Sequence, residues 1–381
     1  MFMEQSAAEA LEKLAADFTA QNPNIEVKFQ YTPNSQYKGV IRPQLLSGEG
    51  PDLFMVYNDL ATFAEDLSGR EWAGRLIPSV KEGMLIQGKL VQMPMTAAGY
   101  AVFYNKEIFE QLNLKVPTTY DEFIRLAETI KQAGITPFAL GMMDGFVPNS
   151  AISQFLTSFY VNMPDGYYEQ LWSGAAKISE NADFRAGLEK FIEFHEQGFF
   201  PEGVLAAGYE AVYQDVASGK AAMIIQGTWL PGFTSGMNPD LQLGSFIMPN
   251  PSGGETVALL YPDWNLGINK NSKNKEAAGM FLDFVAQKEN IEYLDTEWIA
   301  VPAFSDVEVD LGEAMQGYLE GMSKYTVYQP WYPNVADPNY EFVKVLTDLM
   351  SNKVDMDEAL KMYDNILQQN KASLDALYKP N

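Results

Sequence analysis

Cysteine is missing from these 381 residues, which excludes a disulfide framework, a thiolate nucleophile and any thiolate metal site. Histidine occurs once, as His195. It shares a helical face with Phe184, Leu188, Phe191 and Ile192, which suits a packed or rim residue better than a catalyst. A transition-metal cluster has no ligands to draw on, and no EF-hand-like loop is present, although an oxygen-only cation site stays open. No run of about 18 apolar residues exists, so no transmembrane helix is expected. Basic side chains are scarce too: 26 Lys and Arg face 50 Asp and Glu, a net charge of −24. That balance argues against nucleic acid and anionic membrane as partners, since both need a positive field. Met1-Phe2-Met3 is followed at once by Glu4 and Gln5, leaving no room for the apolar core of a leader. The chain is therefore read as processed or trimmed at its start.

What is present is length and rings. A chain of this size exceeds one typical core and predicts about two domains. Aromatics make up 13% of it, with 23 Phe, 20 Tyr and 6 Trp. Flat rings are the platforms on which the C–H faces of sugars stack, although core packing accounts for most of them.

Local patterns place the elements. Ser6 with Glu9 reads as a capping box ahead of Ala7, Leu11, Leu14, Ala15 and Phe18 at helical spacing. Ile25, Val27, Phe29 and Tyr31 alternate with polar residues, the pattern of a half-buried strand. A helix over 37–46 ends at Gly48, and Gly50-Pro51-Asp52 then leads into an apolar strand to Tyr57, with Asp52 a structural residue at its start. Arg70 to Gly88 reads as loop. Within it Gly83 to Lys89 mimics a phosphate-binding loop, but Leu90 stands where Ser or Thr is required. Pro94 stops a short apolar run, and Thr96 to Gly99 read as small, flexible backbone. Tyr100 to Tyr104 form a buried strand, and Asn105 and Thr119 cap the next two helices. Strands follow over 135–140 and 243–248, a helix over 150–160, and a strand over 258–268 that Pro262 interrupts.

Two stretches are specific. YNKEIFEQLNLKVPTTYDEF (Tyr104 to Phe123) and Gly219-Lys-Ala-Ala-Met-Ile-Ile-Gln-Gly-Thr-Trp229 resemble segments of the extracytoplasmic solute-binding proteins of ABC importers, the carbohydrate-binding family that includes maltose- and oligosaccharide-binding proteins. The Gly50 to Tyr57 stretch and the final helix opened by Asp357 are similar to it as well, so the resemblance spans nearly the whole chain. It implies an α/β, two-lobed periplasmic-binding-protein fold (a Venus flytrap), each lobe a mainly parallel sheet flanked by helices, joined by crossover strands. The lobes would be 1–98 with 264–308 and 99–263 with 309–381, the ligand cleft lying between them.

The same resemblance implies the ligand-binding residues. Trp229 is the foremost, stacking on the sugar at the start of a helix. Phe146 and Asp144 follow the strand over 135–140, and Tyr100 lies at the crossover. Asn58 and Asp59 sit beyond the carboxyl end of a strand, where ligands of open α/β sheets bind. Relatives usually carry glycines where Tyr261-Pro262-Asp263 stand, which would put Asp263 and Trp264 where the lobes meet; Trp298 precedes the third crossover, and Trp331 lies in an aromatic loop between prolines. Glu4 and Gln5 would follow a first strand of which only Phe2 and Met3 remain.

The function implied is a monomeric receptor that binds a sugar, foremost an oligosaccharide, and delivers it to the permease subunits of an ABC importer. It would be extracytoplasmic, periplasmic or lipid-anchored at the cell surface, with no cofactor, no metal and no catalytic residue. Two other readings stay open: a two-lobed receptor for a peptide or polyamine, and a glycoside-cleaving enzyme whose paired carboxylates the sequence cannot single out among so many.

Overall fold

The computed structural model describes residues 5–32, 34–164, 166–328 and 341–371. They form two compact units: one of residues up to Ala98 with Tyr261–Leu311, the other of Gly99–Leu260 with Gly312–Leu374. Among the described residues the chain therefore passes between units three times, after Ala98, Leu260 and Leu311.

The first unit opens with helix α1 (Gln5–Gln21) and α2 (Asn34–Ser47), then a short strand β1 (Leu53–Met55) that runs into a 3₁₀ turn at Asn58–Phe63. Helix α3 (Pro78–Gly83) precedes a hairpin of β2 (Leu85–Ile86) and β3 (Lys89–Leu90). Strand β4 (Met93–Asn105) carries the chain into the second unit, where α4 (Lys106–Gln111) and α5 (Tyr120–Gln132) lead to β5 (Thr136–Ala139). Helices α6 (Phe146–Phe155), α7 (Thr157–Val161), α8 (Tyr167–Ser173), α9 (Ala182–Glu196) and α10 (Tyr209–Ala217) follow. Next come β6 (Ala221–Gly227), α11 (Leu230–Met237), β7 (Leu243–Phe246) and β8 (Val257–Ile268), which returns the chain to the first unit. There lie α12 (Lys275–Val285) and α13 (Lys288–Trp298), and the second unit is completed by α14 (Glu313–Lys324), β9 (Thr326–Tyr328) and helices Glu341–Met350 and Met356–Gln369.

The caps read from sequence carry the geometry that makes them caps. The Asn105 side chain accepts from the backbone N–H of Glu107 at 2.9 Å and of Ile108 at 3.3 Å, opening α4. Thr119 accepts from Glu122 N at 3.2 Å, and the Glu122 carboxylate reaches back to the Thr118 N–H at 2.8 Å. The rings are largely core. Phe138 meets Phe194 at 4.9 Å and Phe123 at 5.2 Å, and Phe155 meets Phe194 at 5.5 Å, behind β5. In the first unit Phe18 of α1 packs on Phe281 and Phe284 of α12.

Several expectations are corrected. Helix α1 already runs through Ser6, so Ser6 is not its cap. Residues 25–31 keep the alternating exposure of a strand but are not one. The stretch read as loop from Arg70 to Gly88 holds α3, β2 and the turn that pairs β2 with β3, whose two residues, Gln87 (φ 53°) and Gly88 (φ 74°), take the left-handed conformations such a turn needs. Neither Pro94 nor Pro262 ends a strand: β4 and β8 run through them, and Thr96–Gly99 belong to β4. A proline is tolerated in a strand where no ladder bond needs its missing N–H.

Pairing is mixed rather than mainly parallel. β5 lies parallel to β6 (Thr136 opposite Ala221) and β8 parallel to β9 (Val257 opposite Thr326). Antiparallel pairs stand beside these: β4 with β6 and β7, and β8 with β1.

Candidate functional site

In the second unit the parallel pair β5–β6 delivers two loops to the same sheet edge, the carboxyl one, where open α/β sheets hold their ligands. From β6 the chain goes through Gly227 and Thr228, both buried, to Trp229, which is half-buried and precedes α11. The indole lies flat on the backbone of Gly227: a β-carbon there would fall 2.2 Å from the ring carbons. Glycine is required for so close an approach. The Trp229 Nε1–H donates to the Tyr213 hydroxyl at 3.0 Å, and the ring of Tyr100, itself fully buried, meets it edge-on at 6.4 Å. Burial pushes the Tyr213 phenol well above its ordinary range, so it stays a neutral acceptor.

From β5 the chain reaches Asp144 and Phe146, both half-buried. Phe146 is the first residue of α6 rather than a loop residue. Its ring lies 5.8 Å from Tyr209, which lies 5.9 Å from Tyr213, which lies 5.7 Å from Phe233. Asp144 accepts from the Tyr209 backbone N–H at 2.8 Å, capping α10 from a distance. The sequence reading missed Tyr209, Tyr213 and Phe233. Tyr209 and Tyr213 stand one helical turn apart on a face with Val212 and Val216, a pattern that reads as core and hides a ring bound to Trp229.

In the first unit β1 hands the chain to Asn58 and Asp59, which open the 3₁₀ turn. Asp52, by contrast, is structural: it accepts from the Ser272 hydroxyl at 2.5 Å and from the Asn274 side chain at 3.3 Å. Further on, Trp264 stacks on Trp298 with ring centroids 5.5 Å apart and planes 28° from parallel. Both rings are half-buried. Trp264 has φ 51°, left-handed backbone inside a strand, and Ile299, directly after Trp298, has φ 51° as well. For residues this bulky such backbone is strained by about 1–3 kcal/mol, and strain of this kind gathers at ligand clamps. Asp263 accepts from the Trp264 N–H at 2.9 Å, and burial, against that bond, pushes its carboxyl up to about 6.

The other sequence-derived residues divide simply. Glu4 and Trp331 lie outside the described residues, and Gln5 opens α1. Tyr100 is covered on all sides and stands behind Trp229. His195 stacks on Phe200 at 6.4 Å in α9. Among the described residues no group of three or more His, Cys, Asp or Glu side chains is arranged to hold a metal ion, and no helix is long and apolar enough to cross a membrane.

Comparison with known proteins gives consistent results. The family model described as bacterial extracellular solute-binding protein matches residues 4–292. The chain is 26% identical over 317 residues to the multiple sugar-binding protein of Streptococcus mutans, covering 80% of this chain and 74% of that one. It is 23% identical over 351 residues to the melibiose/raffinose/stachyose-binding protein MelE of Bacillus subtilis, 88% and 79% of the two chains. Among solved structures the apo form of RafE from Streptococcus pneumoniae superposes with a TM-score of 0.78 at 22% identity, covering 97% of this chain and 96% of that one. This last likeness establishes the fold, that of a two-lobed binding protein.

Proposed function

The chain belongs to the bacterial extracellular solute-binding protein family, and on that premise we propose that it is a sugar receptor, with an oligosaccharide as its foremost ligand. It works outside the cytoplasmic membrane and hands its ligand to the permease of an ABC importer. The observation that carries the sugar reading is Trp229, a flat apolar face fixed at the carboxyl edge of β5–β6. A ring held this way fits the C–H face of a pyranose. The names of the relatives from S. mutans and B. subtilis point to the same ligand class. The candidate contacts of the second unit are Trp229 and Phe146, and those of the first are Asp263, Trp264 and Trp298, with Asn58 and Asp59 candidates by their place after β1.

The family supports binding, since the relatives named above are binding proteins. Stacking plus a handful of hydrogen bonds, about 1 kcal/mol each and more when a carboxylate accepts, reaches micromolar affinity. A thermal-shift screen against mono- and oligosaccharides, followed by calorimetry, tests this. A ligand at 100 times its dissociation constant stabilises by about 2.7 kcal/mol, a shift such a screen detects. The reading stands if a glycan raises the melting temperature and is recovered intact after long incubation. Cleavage of the glycan would make the protein an enzyme, and a response to peptides or polyamines alone would replace the ligand class.

A further inference from the structure

Trp229 has one donor, its indole N–H, and that donor is already spent on Tyr213, whose hydroxyl is buried in the body of the second unit. Tyr213 stands on α10, one turn after Tyr209. The start of that helix is tied to the loop leaving β5 by a carboxylate: Asp144 accepts the Tyr209 N–H at 2.8 Å. The tie is tight, since a β-carbon on Gly208 would fall 3.0 Å from the same carboxylate oxygen. The two loops that leave β5 and β6 are thus joined through α10.

We infer that Asp144 and Tyr213 are positioning residues, which fix the indole of Trp229 so that it offers the ligand an apolar ring face and no hydrogen-bond donor. This rests on the receptor reading above and refines it: selectivity at Trp229 is for the C–H face of a sugar ring, and hydroxyl recognition falls to other groups. It also gives Asp144 a role other than ligand contact. Without Tyr213 the N–H would seek water or a ligand hydroxyl, and the ring would lose its fixed plane.

The test uses the full chain, uniformly labelled with nitrogen-15, and the six tryptophan indole signals, with the Trp229 signal assigned by its loss in Trp229→Phe. In the wild type that proton is expected to be slow to exchange with water. In Tyr213→Phe it is expected to exchange at least tenfold faster, with affinity for a sugar found in the screen weakened three- to tenfold. Asp144→Ala separates the two roles of that carboxylate. Positioning predicts weaker binding together with faster indole exchange, and a double variant whose loss is smaller than the sum of the single losses. Weaker binding with an unchanged indole signal makes Asp144 a ligand contact and overturns its part. An unchanged exchange rate in Tyr213→Phe, or a changed rate with unchanged affinity, overturns the inference. If Tyr213→Phe does not fold, Asp144→Ala decides by the same two readouts. If no sugar binds the wild type, the receptor reading falls, and a Trp229 proton that exchanges fast in the wild type overturns the positioning role on its own.

Discussion

The two units hold their tryptophans by different means. In the second, Trp229 rests on a glycine at the end of a buried strand and is tied by a neutral hydrogen bond to Tyr213. In the first, Trp264 and Trp298 lean on each other, with left-handed backbone at Trp264 and just after Trp298, and the carboxyl of Asp263 adjoins the pair. Buried polar groups follow the same division. Among the described residues, those of the second unit that find no hydrogen-bond partner are neutral side-chain atoms of Asn149, Gln154, Thr157 and Gln226. Those of the first include Asp295, fully buried, with both carboxylate oxygens unpartnered among the described residues. The difference teaches that a buried carboxyl adjoins the tryptophan pair of the first unit, whereas the indole of the second is held by a bond between two neutral groups.

The sharpest way to break this comparison is to remove the fixed ring. Trp229→Ala is expected to weaken sugar binding ten- to a hundredfold, about 1.4–2.7 kcal/mol. The melting temperature of the free protein should fall by no more than a few degrees, since the ring is half-buried and one hydrogen bond is lost. Calorimetry showing equal affinity would take Trp229 out of the site.

Next in size comes Asp295. Burial raises its carboxyl from 3.8 to about 9. The folded chain therefore keeps a proton that the unfolded chain sheds above about pH 4, and stability falls as pH climbs from there towards 9. Replacing the acid by a group of similar size that needs no partner, Asp295→Leu, is expected to stabilise the protein by about 1–3 kcal/mol at pH 8. Urea midpoints at pH 5 and pH 8 check the size, and hydrogen exchange along α13 checks that the gain is in the first unit. A variant less stable than the wild type at pH 8 would mean the acid is stabilised in a way its surroundings do not suggest.

How far the sequence carries one differs between these residues for physical reasons. Caps and strands were legible because their signals are local: Asn105 and Thr119 announce their helices within three residues, and β6 is a fully buried run ending in glycine. Residues 25–31 alternate correctly yet form no strand, because alternation sets only which side chains face inward and a ladder needs partners from elsewhere. Pro94 and Pro262 misled because a proline's effect depends on whether its missing N–H is needed, which is a property of the neighbouring strand. Trp229 could be nominated from its motif. Its support by Tyr213 could not, since that contact joins residues from α10 and the end of β6. The left-handed backbone at Trp264 was hidden for a related reason: nothing in the residue type announces it, and bulky side chains argue against it.

A smaller effect probes the strained pair. Trp298→Ala leaves Trp264 without its stacking partner, worth about 0.5–1.5 kcal/mol beyond area burial. Sugar binding is expected to weaken about three- to fivefold, less than in Trp229→Ala because one ring of the pair remains. A loss equal to that of Trp229→Ala would make the two units equivalent in how they bind.

The smallest effect bears most directly on pH. A carboxylate accepting sugar hydroxyls contributes about 1.5–3 kcal/mol, more than its neutral acid can. With its carboxyl raised to about 6, Asp263 is largely protonated at pH 5 and ionised at pH 7.5. Ligand that prefers the ionised form must displace a proton at the lower pH, so affinity is expected to fall a few-fold between pH 7.5 and pH 5. Asp263→Asn should flatten that profile and bind at pH 7.5 about as weakly as the wild type does at pH 5. The stack on Trp229 exchanges no proton, so the affinity ratio between wild type and Trp229→Ala should be the same at both values. An unchanged slope in Asp263→Asn, read by calorimetry across the range, would mean that the first unit's carboxyl does not meet the ligand and that the pH dependence of binding arises elsewhere.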